Sequence, residues 1–385
     1  MRIMLNAMSF FPGKMGGMET YFRKLYENLQ LIDSDNHYQV VCGDDVAREF
    51  ASLNANFEVV SIRRYPTHDL RRYIFSLLRR GTGFDYIKWA MKRVPTDVVH
   101  HPFTIMHPLG LEVPTVLTFW DMQHEYLPDF FSNRELKIRK AHFRSSCFAA
   151  TRIIVATNFT KQSLIERYEI DPGKIDVISV GYGAEYRVIN NPELLDGIRK
   201  KYDLARPFLY YPAATWPHKN HLRLLGALKY LMEHFRFEGD LVLTGVVMHA
   251  HNKILREIDR LGLSGRVKVL GYLPYGDLPG LYNLARLHVF PSLFEGFGIP
   301  LVEAMACGCP TVCSNISSIS EVIGDAGVMF DPTSIEDIAE SIWSVWSDDA
   351  KLADMRREGL RRVVLFDWKN TVRNTIEVYR KASDS

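Results

Sequence analysis

Two glutamates with seven residues between them, Glu295 and Glu303, stand in the run Pro291-Ser292-Leu293-Phe294-Glu295-Gly296-Phe297-Gly298-Ile299-Pro300-Leu301-Val302-Glu303. A strand is expected to end near Pro291, with a glycine-bearing loop after it. Pro300 then stands where a helix begins, because proline is tolerated in a first helical turn. Gly308 suits the left-handed position that ends such a helix. Loop amides and the positive end of a helix make an anion site suited to phosphate. Carboxylates repel phosphate, so Glu295 and Glu303 fit neutral hydroxyls placed around it. Phosphate bracketed by hydroxyls describes a nucleotide sugar, with ribose on one side and a hexose on the other. The plain alternative is a strand-turn-helix with surface glutamates.

The same run resembles the signature of the retaining family-4 glycosyltransferases. The likeness continues through Glu303-Ala304-Met305-Ala306-Cys307-Gly308-Cys309-Pro310 and Glu321-Val322-Ile323-Gly324-Asp325-Ala326-Gly327, and more loosely over nearly the whole chain. It implies an α/β GT-B fold, two Rossmann-like doubly wound domains facing each other across a cleft. Carried over by position, Glu295 orients the sugar hydroxyls and supports the reacting carbon. Glu303 clamps the ribose. Gly296, Phe297, Gly298 and Leu301 hold the donor phosphates.

Lys219, in Pro212-Ala213-Ala214-Thr215-Trp216-Pro217-His218-Lys219-Asn220-His221, resembles the family's diphosphate-binding lysine. The family commonly has an arginine five residues earlier, where this chain has Ala214, so Lys219 carries more of the charge. Gly16 and Gly17, in the first strand-helix turn Gly13–Glu19, resemble a loop near the donor phosphates and acceptor. That turn is not a GxGxxG fingerprint, which argues against a dehydrogenase or nucleotide-sugar epimerase. In Thr118-Phe119-Trp120-Asp121-Met122-Gln123-His124, Trp120 replaces the family's histidine. Asp121 and His124 are the candidates for contact with the transferred sugar.

The resemblance implies a retaining, metal-independent hexosyl transfer, with no cofactor beyond the nucleotide-sugar donor. The Trp216–His221 run resembles bacterial polysaccharide mannosyltransferases, favouring GDP-mannose over a UDP-sugar. A saccharide or lipid-linked saccharide is the implied acceptor. A membrane-associated scaffold that binds nucleotide sugar without turnover is the rival reading, and Trp120 and Ala214 are its support.

These residues need a frame. Short apolar runs alternate with helical patterns in both halves of the chain, the signal of parallel βαβ units. Doubly wound sheets bind ligands beyond the carboxyl ends of their strands. The expected division is an acceptor domain over 1–189, completed by a helix within 368–385, and a donor domain over 190–367. A polar stretch around Tyr186–Arg206 is read as the irregular separator.

Composition closes off other classes. In 385 residues, 47 basic against 45 acidic side chains leave a formal charge of +2, so no global field favours nucleic acid. No apolar run approaches the roughly 18 residues of a membrane span. The start Met1–Ala7 reads as a buried strand rather than a signal peptide, which places the protein in the cytoplasm. Cys307, Cys309 and Cys313 cluster without a CxxC pair and read as small core residues. His100, His101 and His107 are read as past a strand end, His249 and His251 as loop residues, none forming a metal set. Asp33-Ser34-Asp35 reads as turn chemistry rather than a metal-binding DxD. From Arg63 to Arg93 basic residues interleave with aromatics. That pattern suits peripheral contact with the anionic inner face of the cell membrane, or else a solvated helix face over a core.

Overall fold

Strands and helices alternate along most of the chain. In the computed structural model, which describes residues 1–13, 15–50, 54–65 and 69–385 without the side chains of Arg72 and Arg80, the chain divides into two compact units. The first is Met1–Val180 with Trp368–Ser385, and the second is Gly181–Asp367.

In the first unit the strands are β1 (Arg2–Ala7), β2 (His37–Gly43), β3 (Phe57–Ile62), β4 (Val98–His101), β5 (Thr115–Phe119), β6 (Arg152–Val155) and β7 (Ile175–Val177). They form one sheet in the order β3-β2-β1-β4-β5-β6-β7, every neighbour parallel. All of β4 and β5 is buried, as a parallel sheet covered on both faces requires. The order reverses between β1 and β4, so the ends of those strands flank a topological switch point.

The second unit repeats the plan with β8 (Phe208–Pro212), β9 (Asp240–Thr244), β10 (Val267–Gly271), β11 (Leu287–Phe290), β12 (Thr311–Ser314) and β13 (Gly327–Phe330). Their order is β10-β9-β8-β11-β12-β13, also parallel, with the reversal between β8 and β11. Glu295 follows β11 and Lys219 follows β8. These two candidate residues therefore leave the two strands that flank this switch point.

The last helix, Trp368–Ser383, belongs to the first unit. It buries Trp368, Val372, Ile376 and Tyr379, and the Tyr379 hydroxyl meets His100 Nδ1 at 2.8 Å. Thr371 Oγ1 donates to the Ser179 carbonyl at 2.7 Å, and Lys381 pairs with Asp176 at 2.9 Å.

Two local expectations are corrected. The stretch 186–206 is not irregular: it holds a helix, Pro192–Lys201, capped by Asn191 and packed by Ile198 against Gly280 in the second unit. Ile198 is its one buried residue, so the solvated faces dominate its composition. His100 and His101 lie within β4 rather than beyond it, and burial pushes each imidazole down to about 3. They are neutral members of a sheet interior.

Candidate functional site

In the second unit Lys219 and Glu295 meet. β8 ends at Pro212, a short turn over Pro217–Lys219 follows, and the helix His221–His234 begins after Asn220. Lys219 Nζ donates to Glu295 Oε1 at 2.5 Å, with the two side chains only 18% and 12% exposed. The backbones around them are tied as well. Leu293 N donates to the His218 carbonyl at 2.7 Å, and the Tyr211 hydroxyl donates to the Lys219 carbonyl at 2.8 Å. On the far side, Ser317 Oγ accepts from Glu295 N at 3.1 Å and Ser318 Oγ donates to Glu295 O at 2.8 Å. A cation and a carboxylate are thus held at the carboxyl ends of adjacent parallel strands, as the switch-point rule requires.

Glu303 is set differently. It is the fifth residue of the helix Ile299–Ala306, whose N-cap Gly298 has φ +94° and whose Pro300 lies in the first turn. Leu301 N donates to the Gly298 carbonyl at 2.9 Å within the first turn of that helix. Glu303 is 9% exposed and accepts from the Tyr282 hydroxyl at 3.0 Å. Burial pushes its carboxyl up to about 7, against the opposing pull of the Tyr282 and Tyr186 hydroxyls. The Tyr186 hydroxyl is buried beside it without a partner in good hydrogen-bond geometry. These tyrosines escaped the sequence reading because they lie far from the motif in the chain, and no spacing rule links them to it.

The first unit places its candidates less uniformly. Gly16, φ +55°, caps the helix Gly17–Ile32, and Glu19 turns back to accept from Gly13 N at 2.7 Å. Lys14, in the same turn, lies outside the described residues. Asp121 follows β5, partly exposed, and accepts from Gln123 N at 3.0 Å. Trp120 donates its indole N–H to the Pro102 carbonyl at 3.0 Å and packs edge-on against Tyr21 with ring centroids 4.5 Å apart.

His124 is a correction. It has no exposed surface, its Nε2 meets the Tyr168 hydroxyl at 2.9 Å, and its ring packs edge-on against Phe143 at 4.8 Å. Burial pushes the imidazole down to about 4. This histidine is a core residue, and the structure gives it no surface from which to touch a sugar.

Of the remaining candidates, Cys307, Cys309 and Cys313 are buried free thiols. Asp33 turns its carboxylate inward to Asn36 and the Tyr38 hydroxyl, at 2.7 and 2.5 Å, as a turn-stabilising residue does. Among the described residues no helix is long and apolar enough to cross a membrane. Within Arg63–Arg93, residues 66–68 and the side chains of Arg72 and Arg80 lie outside the description. The helix Leu70–Thr82 turns Phe75 inward onto Tyr86, ring centroids 4.7 Å apart, and exposes Leu70, Tyr73, Ile74, Leu77 and Leu78.

Two doubly wound parallel-sheet units, the second with a lysine and a carboxylate joined at its switch point, are the arrangement that the GT-B resemblance implied. Residues 197–362 match the family described as Glycosyl transferases group 1, and residues 15–185 match Glycosyltransferase Family 4. The chain is 30% identical over 294 residues to O-antigen chain mannosyltransferase B of Escherichia coli, covering 76% of each protein. It is 34% identical over 239 residues to the serotype-specific mannosyltransferase WbdA of Escherichia coli, covering 61% of this chain and 29% of that one.

Among solved structures, sucrose-phosphate synthase of Thermosynechococcus elongatus matches with a TM-score of 0.78 at 18% identity, over 99% of this chain and 98% of that one. WaaG, a glycosyltransferase involved in lipopolysaccharide biosynthesis, matches with a TM-score of 0.71 at 17% identity, over 100% and 99%. At such identities these structures speak for the fold alone. The chain belongs to the group 1, family-4 glycosyltransferases.

Proposed function

We propose that this glycosyltransferase moves mannose from GDP-mannose to a saccharide or lipid-linked saccharide acceptor in cell-surface polysaccharide synthesis, with retention of anomeric configuration and without a metal ion. The observation that carries the chemistry is the Lys219–Glu295 pair at the β8/β11 switch point. Lys219 neutralises charge on the diphosphate as the glycosidic bond breaks, helped by the Gly296–Gly298 loop before the helix. Such preplaced charge is commonly the largest catalytic term. Glu295 orients sugar hydroxyls and supports the positive carbon. The acceptor oxygen attacks from the face the diphosphate leaves and passes its proton to a diphosphate oxygen. Glu303, held by Tyr282, binds the ribose hydroxyls. Asp121 contacts the transferred sugar, and Gly16 and Gly17 lie near the donor phosphates and acceptor. The choice of mannose rests on the two Escherichia coli relatives, both named as mannosyltransferases.

The exposed stripe Leu70, Tyr73, Ile74, Leu77 and Leu78, with Arg71 and Arg79 on the same helix, supports peripheral attachment to the anionic cytoplasmic face of a membrane.

The deciding experiment incubates the protein with GDP-mannose, UDP-glucose and UDP-GlcNAc, with and without EDTA, and follows sugar release and the anomer formed by NMR. Turnover of GDP-mannose in EDTA with retention is expected. Release from a UDP-sugar alone, inversion, or loss of turnover on chelation restored by Mg²⁺ would each overturn the corresponding part.

A further inference from the structure

Lys219 and Glu295 come from separate strands, and a third side chain spans the gap between their supports. Asn220, the residue after Lys219, is 4% exposed and has φ +62°. Its side-chain amide donates both hydrogens, to the Pro291 carbonyl at 3.0 Å and to the Pro332 carbonyl at 2.8 Å. Its Oδ1 accepts from Arg223 Nη1 at 3.0 Å. One small side chain thus joins the turn after β8, the loop after β11 and the turn after β13. Its left-handed backbone also ends the Lys219 turn and lets the helix His221–His234 start, with Leu224 N donating to the Asn220 carbonyl. Asparagine tolerates that conformation better than other residues with a side chain, and it alone among such residues brings two amide hydrogens on so short a stem.

The geometry points to Asn220 as a positioning residue for the transfer: by tying both sides of the β8/β11 switch point together, it sets the separation of Lys219 from Glu295. Reaction rates are steep in such separations, because preplaced charges lose their effect with misalignment of about an ångström. Asn220 touches neither donor nor acceptor in this account. It acts through Lys219 and Glu295, and so rests on the roles proposed for them.

The test compares Asn220→Gly, Lys219→Met and the double variant. Glycine adopts the left-handed backbone freely, so the turn survives while all three side-chain bonds are lost. Asn220→Asp is the second variant, tolerating the backbone and keeping the Arg223 contact but unable to donate to either carbonyl. Folding is followed by circular dichroism, active fraction by calorimetric titration with GDP, and turnover by sugar release from GDP-mannose.

In both Asn220 variants kcat per active site should fall roughly 30-fold or more, with GDP affinity changed less than about fivefold. In the Lys219→Met background, Asn220→Gly should cost little further, because residues that act as one unit are not additive. Multiplicative losses in the double variant, unchanged kcat in the folded single variants, or failure of both Asn220 variants to fold would each overturn the proposal. Full turnover in Lys219→Met would instead overturn the assigned role of Lys219, a separate failure.

Discussion

Glu295→Gln is expected to bind nucleoside diphosphate more tightly than the unaltered protein while losing turnover. Without donor, Lys219 already has a counter-charge 2.5 Å away in Glu295. A diphosphate entering beside Lys219 must share or displace that contact. A hydrogen bond to a charged group is worth about 1.5–3 kcal/mol net. Removing one partner of a fully buried pair costs about 3–5 kcal/mol, and an exposed pair contributes about 1 kcal/mol or less. At 18% and 12% exposure this pair lies between those limits, so about 1–2 kcal/mol is a fair magnitude.

Glutamine keeps the shape and removes the charge, leaving Lys219 short of a counter-ion until diphosphate arrives. The gain of about 1–2 kcal/mol corresponds to roughly 5–30-fold tighter binding, at 1.4 kcal/mol per factor of ten. Calorimetric titration with GDP reads it directly, with GMP as the control lacking the second phosphate. Affinity equal to or weaker than that of the unaltered protein would refute the reasoning. So would a gain that survives in Lys219→Met, since the effect must pass through that ammonium.

The raised Glu303 carboxyl gives a pH dependence: the folded state holds a proton that the unfolded chain has released, so stability should fall as pH rises from about 4.5 through about 7. Glu303→Gln should flatten that slope in thermal melts, and Tyr282→Phe, which removes an opposing donor, should move its upper end to higher pH. Gly298→Ala should lower both Tm and GDP affinity, because φ is +94° and a Cβ would lie 3.0 Å from Leu301 Cδ1; the strain is about 1–2 kcal/mol, and an unchanged melt would refute it. His124→Phe should lower Tm through the lost Tyr168 bond but leave kcat/KM per active site within about threefold; a loss of a hundredfold would return His124 to the site. Ile74→Glu with Leu77→Glu should abolish sedimentation with anionic vesicles while leaving GDP affinity unchanged; undiminished sedimentation would remove the apolar stripe from membrane contact.

Much of the architecture was legible from local pattern. Pro300 and Gly308 bracket a helix because backbone chemistry at its ends acts over a few residues, and the bracket needs no distant partner. The buried parallel strands read as short apolar runs because both faces are covered. For the same reason Lys219 and Glu295 could be named from the turns that carry them. Their ion pair could not: it depends on β8 and β11 becoming neighbours, and 76 positions of chain separate the two residues.

Where composition misled, burial was the missing quantity. His124 looks like any loop histidine beside an aspartate until Phe143 and Tyr168 close over it. The helix Pro192–Lys201 looks irregular because Pro192, Gly197 and its many charged residues read as loop chemistry, while Ile198 alone is buried. Glu303 shows the division most plainly. Its place eight residues after Glu295 is a property of the chain, whereas its elevated carboxyl comes from burial beside Tyr282 and Tyr186, which reach it from other parts of the second unit. Sequence determined which groups could carry the chemistry, since residue type and local turns are encoded locally. Tertiary structure decided which of them met, which were shut from water and what charge each one holds, because distance and solvation arise only when remote segments pack.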